Sequence, residues 1–133
     1  CEFNIKTRLL RFASAMRPVI LLMDGEQYYI RGNKSSVGGE SASEKYFDDQ
    51  EYYLKKGDSV YMFSDGYADQ FGGPEGKKYK YRRFRHLLMS IHKLPMKDQH
   101  QRLANSMKEW MGGAQEQIDD QTVIGIRPAS FSF

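Results

Sequence analysis

Cysteine is almost absent from this chain, and Cys1 is the only one. A single cysteine excludes an intrachain disulfide and agrees with a reducing compartment. Long apolar runs are missing too. The longest, Pro18 to Met23, is far too short to span a bilayer, so this segment is expected to make no membrane contact. The residues present show no signal-peptide pattern. Histidine is scarce: His86, His92 and His100 all fall on expected helices. The six-position gap between the first two sets them on different faces, which argues against a zinc site. No glycine-rich phosphate loop ends in Lys-Ser or Lys-Thr, and no Ser-His-Asp arrangement is legible.

What is present reads as globular. The 133 residues suit one domain, large enough to bury roughly two-thirds of its unfolded surface. The chain is 40% hydrophobic and 14% aromatic, which excludes a disordered segment. Nine Tyr and eight Phe favour sheet. A net charge of +3 says little about partners by itself.

Strands are expected at Glu2–Ile5, Leu9–Ala13, Pro18–Met23, Gln27–Ile30, Glu51–Leu54 and Val60–Ser64. Asp24-Gly25 is the strongest hairpin signal, because glycine accepts the positive φ of a tight turn. Residues Arg31 to Ser43 read as a loop. So do Phe71 to Gly76, whose Gly-Gly-Pro should leave them mobile and without regular structure. Phe84, Leu87, Leu88 and Ile91 then recur at helical spacing. A second helix is expected from about Met96 to Met111, with Leu103, Met107, Trp110 and Met111 as its apolar stripe and Gly112-Gly113 as its stop. A last strand runs from Thr122 to Ile126. Strands first, two helices near the C-terminal end and one closing strand argue an α+β fold with largely antiparallel sheets.

Two strand ends carry carboxylates. Val60 to Ser64 leads into Asp65-Gly66, and Asp119-Asp120 precedes Thr122 to Ile126. A carboxylate on a strand end beside a residue that lets the backbone bend can hold a hard cation. If the two strands are neighbours, their turns can meet around one metal centre. Taken singly, each is also an ordinary turn sequence. The other chemical signal is the run from Lys77 to Arg85, with six Lys or Arg and with Tyr79, Tyr81 and Phe84 interleaved. Its simplest reading packs the aromatics inward and leaves the cations solvated. A stacking and phosphate-contact platform for nucleic acid ranks behind that.

The ordered pattern resembles a family. Phe12-Ala13-Ser14-Ala15-Met16-Arg17-Pro18, Val37-Gly38-Gly39, Lys56-Gly57-Asp58, Ser64-Asp65-Gly66 and Asp119-Asp120-Gln121-Thr122 are similar, in that order, to the bacterial SpoIIE-type metal-dependent (PPM) serine/threonine protein phosphatases. The resemblance implies part of an α-β-β-α sandwich, with the metal site at one rim. It implies Mn²⁺ or Mg²⁺, two ions in the intact domain, with Asp65 binding one metal and Asp119 completing the coordination. Asp69, Asp120 and Gly66 would stand behind them, and Ser64 and Gly66 would shape the turn. The family's first metal motif, a Gly-Asp followed by Gly-His-Gly or similar, has no counterpart here. Residues 1–133 are therefore expected to be the C-terminal part of a single phosphatase domain.

The implied substrate is a phosphoserine or phosphothreonine on a regulatory protein partner, in the cytoplasm, with a sensor domain upstream and a parent chain that can be membrane-anchored. Lys78, Lys80, Arg82 and Arg83 would lie on a docking flap, since this stretch directly follows the Asp65 turn. The alternative readings are a catalytically silent docking or homodimerising module and, last, the nucleic-acid binder.

Overall fold

The computed structural model describes residues 1–39 and 44–128. The strands are β1 (Glu2–Asn4), β2 (Leu9–Phe12), β3 (Val19–Met23), β4 (Glu26–Ile30), β5 (Gln50–Tyr53), β6 (Ser59–Phe63), β7 (Phe71–Gly72), β8 (Lys77–Lys78) and β9 (Val123–Ile126). The helices are α1 (Gly66–Asp69), α2 (Tyr81–Ile91) and α3 (Met96–Met111). The architecture is α+β, and every strand pair whose register is defined is antiparallel. One sheet has the order β1-β2-β5, a second β4-β3-β6-β9, and β7-β8 forms a small ribbon. Among the described residues no helix is long and apolar enough to cross a membrane.

The chain divides into two compact units, Cys1–Met62 with Ile126–Phe133, and Phe63–Gly125. The first is built on alternation. Leu10 and Phe12 of β2, Val19 and Leu21 of β3 and Val60 of β6 share one apolar core with Leu54. Residues two apart along a strand line one face, so each strand contributes its alternate side chains. Ile20 and Leu22 are buried as well, and β3 is therefore apolar on both faces. Asp24 and Gly25 join β3 to β4 with φ of 51° and 82°. Two consecutive positive φ values are what a tight hairpin matching the twist of its strands requires. Buried Asp58 secures this end, its carboxylate accepting from the backbone N–H groups of Asp24 (3.2 Å) and Lys55 (2.6 Å).

The second unit is built on rings. Phe63 and Phe84 meet edge to face at 4.9 Å, Tyr67 and Tyr79 at 5.3 Å, and Tyr79 and Trp110 at 5.4 Å. Such geometry sets the positive ring edge against the negative face. The polar ends are tied down: the Tyr67 hydroxyl donates to the Leu103 carbonyl (2.8 Å), and the Tyr79 hydroxyl bonds Ser106 Oγ (2.9 Å). Burial pushes the Tyr67 phenol well above its ordinary pKa, with the neighbouring Tyr79 adding to the rise.

Two expectations are corrected here. Phe71 to Gly76 is not an irregular loop, because Phe71 and Gly72 pair with Lys78 and Lys77 across a turn. Tertiary packing decides it: Gly73 N–H donates to the Trp110 carbonyl (2.7 Å), and the ring sits where a side chain on Gly73 would go. The chain after Asp65 also enters a one-turn helix, α1, too short to show a periodicity in sequence. Residues 40–43 of the expected Arg31–Ser43 loop lie outside the described residues.

Candidate functional site

The two carboxylate turns come together. Both turns belong to the unit Phe63–Gly125. Ser64 N–H donates to the Thr122 carbonyl (3.0 Å). The Ser64 hydroxyl donates to the Asp120 carbonyl (2.6 Å) and accepts from Thr122 N–H (3.0 Å), so one side chain fastens both ends of the Asp120–Thr122 stretch. Gly66 makes this approach possible. A Cβ there would run into the Asp120 carbonyl oxygen and crowd the Asp119 carbonyl carbon. Glycine is required at this point for space rather than for φ.

Asp65 is half-buried at the N-terminal boundary of α1, and its backbone carbonyl accepts from Asp69 N–H (2.9 Å). Asp119 is exposed, and its Oδ1 accepts from Asp120 N–H (2.7 Å). The Asp120 side chain is exposed, while its backbone supplies the bond to Ser64. Asp69 faces another way and pairs with Lys78 Nζ at 3.2 Å. Among the described residues, no group of three or more His, Cys, Asp or Glu converges. Two carboxylate turns held together by backbone contact still fit Mg²⁺ or Mn²⁺. Such ions take oxygen ligands, are often held by only one or two protein carboxylates and keep several waters.

Gln70 is the residue that sequence reasoning missed. It is fully buried, and its amide donates to the carbonyls of Glu116 (2.8 Å) and Phe71 (3.2 Å). Its Oε1 accepts from Gln121 Nε2 (2.9 Å) and Ile118 N–H (3.4 Å), and its backbone carbonyl accepts from Trp110 Nε1 (3.0 Å). The segment from Glu116 to Gln121 has no helix or strand of its own, so this one side chain ties down the stretch that presents Asp119. Nothing in spacing or composition marks Gln70, because a buried hub of this kind is defined by partners about 50 positions away in the chain.

The basic run divides as its simplest reading expects. Tyr79 and Phe84 are buried and Tyr81 is half-buried, while Lys77, Lys78, Lys80, Arg82 and Arg83 stay exposed. The histidines do not gather. His86 and His100 lie exposed on α2 and α3, and His92 follows α2 with Nδ1 2.5 Å from the Met89 carbonyl oxygen.

The chain is similar to known proteins in sequence and in fold. The sequence matches the family model of Stage II sporulation protein E (SpoIIE) over residues 1–129. The SiaA-PP2C domain of Pseudomonas aeruginosa is similar with a TM-score of 0.81 and 28% identity, over 92% of this chain and 47% of that one. The phosphatase domain of SpoIIE from Bacillus subtilis is similar with a TM-score of 0.64 and 18% identity, over 98% of this chain and 57% of that one. Its Mn-presoaked form gives 0.67 and 16%, over 98% and 56%. This chain thus spans about half the length of the phosphatase domains it resembles. Among curated proteins none matches. With its fold and 129 of its residues accounted for by one family, the chain belongs to the SpoIIE family, alongside phosphatase domains of the PP2C type.

Proposed function

We propose that this chain is the C-terminal part of a metal-dependent protein serine/threonine phosphatase domain, and that Asp65 and Asp119 are its ligands to a two-metal centre. The observation that carries this reading is the docking of Ser64–Gly66 onto the Asp119–Thr122 backbone, which joins two carboxylate turns distant in sequence. The remaining ligands come from residues outside this chain. The Mn-presoaked relative and the fit of two carboxylates to Mg²⁺ or Mn²⁺ support the choice of ion. When bound, such a metal pair supplies an activated water and neutralises phosphate oxygens, the chemistry that slow phosphomonoester hydrolysis needs.

The chain's own residues do the positioning. Ser64 fixes the Asp119 turn against the Asp65 turn, Gly66 lets them close, and Gln70 holds the approach to Asp119. Asp69 and Asp120 serve the frame, the first through Lys78 and the second through its backbone. The substrate is a phosphoserine or phosphothreonine on a regulatory protein, in the cytoplasm, under an upstream sensor domain.

Calorimetry with Mn²⁺, paired with hydrolysis of an aryl phosphate, tests this on the full-length protein. Asp65→Asn and Asp119→Asn are each expected to weaken metal binding and to lower turnover by more than about a hundredfold, beyond the usual cost of losing an outer-shell partner. Unchanged metal affinity in both variants would remove these two residues from the centre.

A further inference from the structure

A concave feature lies in the unit Phe63–Gly125. Gly72, the β7–β8 turn, β8, the start of α2 and Trp110 enclose a cleft of about 650 Å³. That volume is within the range of ~300–1,000 Å³ usual for ligand sites. Five cations line it, Lys77, Lys78, Lys80, Arg82 and Arg83, against one carboxylate, Glu75. Lys77 pairs with Glu75, and Lys78 with Asp69. Lys80 and Arg82 are exposed and enter no ion pair among the described residues. Lys80 also holds φ 70° and ψ 146°, backbone angles that glycine would occupy at lower cost.

The aromatic surface decides what kind of anion fits. Nucleic-acid platforms need open ring faces on which bases stack. Here the rings are engaged: Tyr79 is buried, Arg83 lies 4.1 Å from the Trp110 ring centroid, and Lys78 covers Phe71 at 5.9 Å. What remains available is positive charge without stacking surface, which suits carboxylates. The cleft is also close to the Asp65 turn along the chain. Asp69, the partner of Lys78, closes the single turn of α1 that begins at Gly66, and four residues of helix span roughly 6 Å.

We propose that this cleft docks an acidic segment of the protein substrate, Asp and Glu residues within a few positions of the phosphorylated side chain. The proposal rests on the phosphatase reading for the identity of the partner, but its binding chemistry stands on the cleft alone.

The test uses the full-length protein in EDTA, so that no metal site contributes, and follows the anisotropy of short labelled peptides without phosphate. A Glu-rich peptide is expected to bind, its Gln counterpart about tenfold more weakly or worse, and the Glu affinity to fall as salt rises from about 50 to about 200 mM. Arg82→Glu should abolish the preference for Glu. Lys80→Gly should reduce it while relieving the backbone, so loss of binding there cannot be ascribed to misfolding. Equal affinity for the Glu and Gln peptides, or a Glu preference that survives both substitutions, overturns the docking site. An oligonucleotide that binds more tightly than the Glu peptide also overturns it, in favour of nucleic acid. Failure of metal-dependent aryl phosphate turnover with Glu-peptide binding intact would count against the phosphatase reading only.

Discussion

The two units solve the burial problem differently. In Cys1–Met62 with Ile126–Phe133, the core cluster of Leu10, Val19, Leu21, Leu54 and Val60 with Phe12 is mainly aliphatic and has no polar atom to satisfy, although Tyr61 is buried in the same unit. In Phe63–Gly125, Tyr67, Tyr79 and Trp110 bury rings whose hydroxyl or N–H must each find a partner, and each does. An aliphatic core is satisfied by many arrangements of similar volume. A core of tethered rings is satisfied by very few, because each hydrogen bond fixes an orientation as well as a contact. The carboxylate turns and the basic cleft both belong to the second unit. Precision is located where the chemistry is proposed to occur.

Substitutions sharpen this contrast. The largest loss of stability is expected from Leu21→Ala, about 2–5 kcal/mol by chemical denaturation, since a fully buried Leu leaves a cavity. Mn²⁺ affinity per folded molecule should stay unchanged, and a parallel fall in affinity would break the division of labour. Gly66→Ala should cost about 1–3 kcal/mol by overpacking, yet lower Mn²⁺ affinity strongly, because the new methyl pushes the Asp119–Asp120 backbone away. Gln70→Leu should cost about 1–3 kcal/mol through buried groups left unpaired. It should also speed hydrogen exchange at the Ile118 amide, which now donates to Gln70. Protection there equal to wild type would show that the segment is held by something else.

Tyr67→Phe should have the smallest effect, about 0.5–1.5 kcal/mol for one lost hydrogen bond. It also has a pH signature. The folded state holds the Tyr67 phenol protonated above the ordinary value of 10.0, whereas the unfolded chain releases that proton near it. The stabilisation is therefore complete below pH 10.0 and is lost as pH rises from there toward the raised folded pKa. Thermal unfolding from neutral to strongly alkaline pH should show a shallower decline in Tyr67→Phe than in wild type.

Much of this was legible from the sequence, and the reasons differ by element. Strands β2 and β5 carry period-two burial while β3 reads as a continuous apolar run, the Asp24-Gly25 turn carries its own φ requirement, and α3 lies between Pro95 and Gly112 as its stop signals predict. The contact between the Ser64–Gly66 turn and the Asp119–Thr122 backbone was expected from two strand ends and an ordered motif. The β7–β8 ribbon did not, because Gly72-Gly73-Pro74 is a breaker sequence locally and becomes ordered only against Trp110. Gln70 escaped for the same reason. Four of its bonds reach residues 40 or more positions away in the chain, so no window of sequence contains the signal.

Trp110 is the only tryptophan in the chain. Its indole N–H bonds the backbone of Gln70, its face carries Arg83, and its side chain lines the basic cleft. The fold thereby contains an intrinsic fluorophore wired to two events at once. A peptide that draws Arg83 off the ring would change the quenching of its emission, whereas a shift of the Gln70 backbone would move its wavelength by altering the polarity around the N–H. Intensity and colour would then separate occupancy of the cleft from movement of the Asp119 segment, with no label attached.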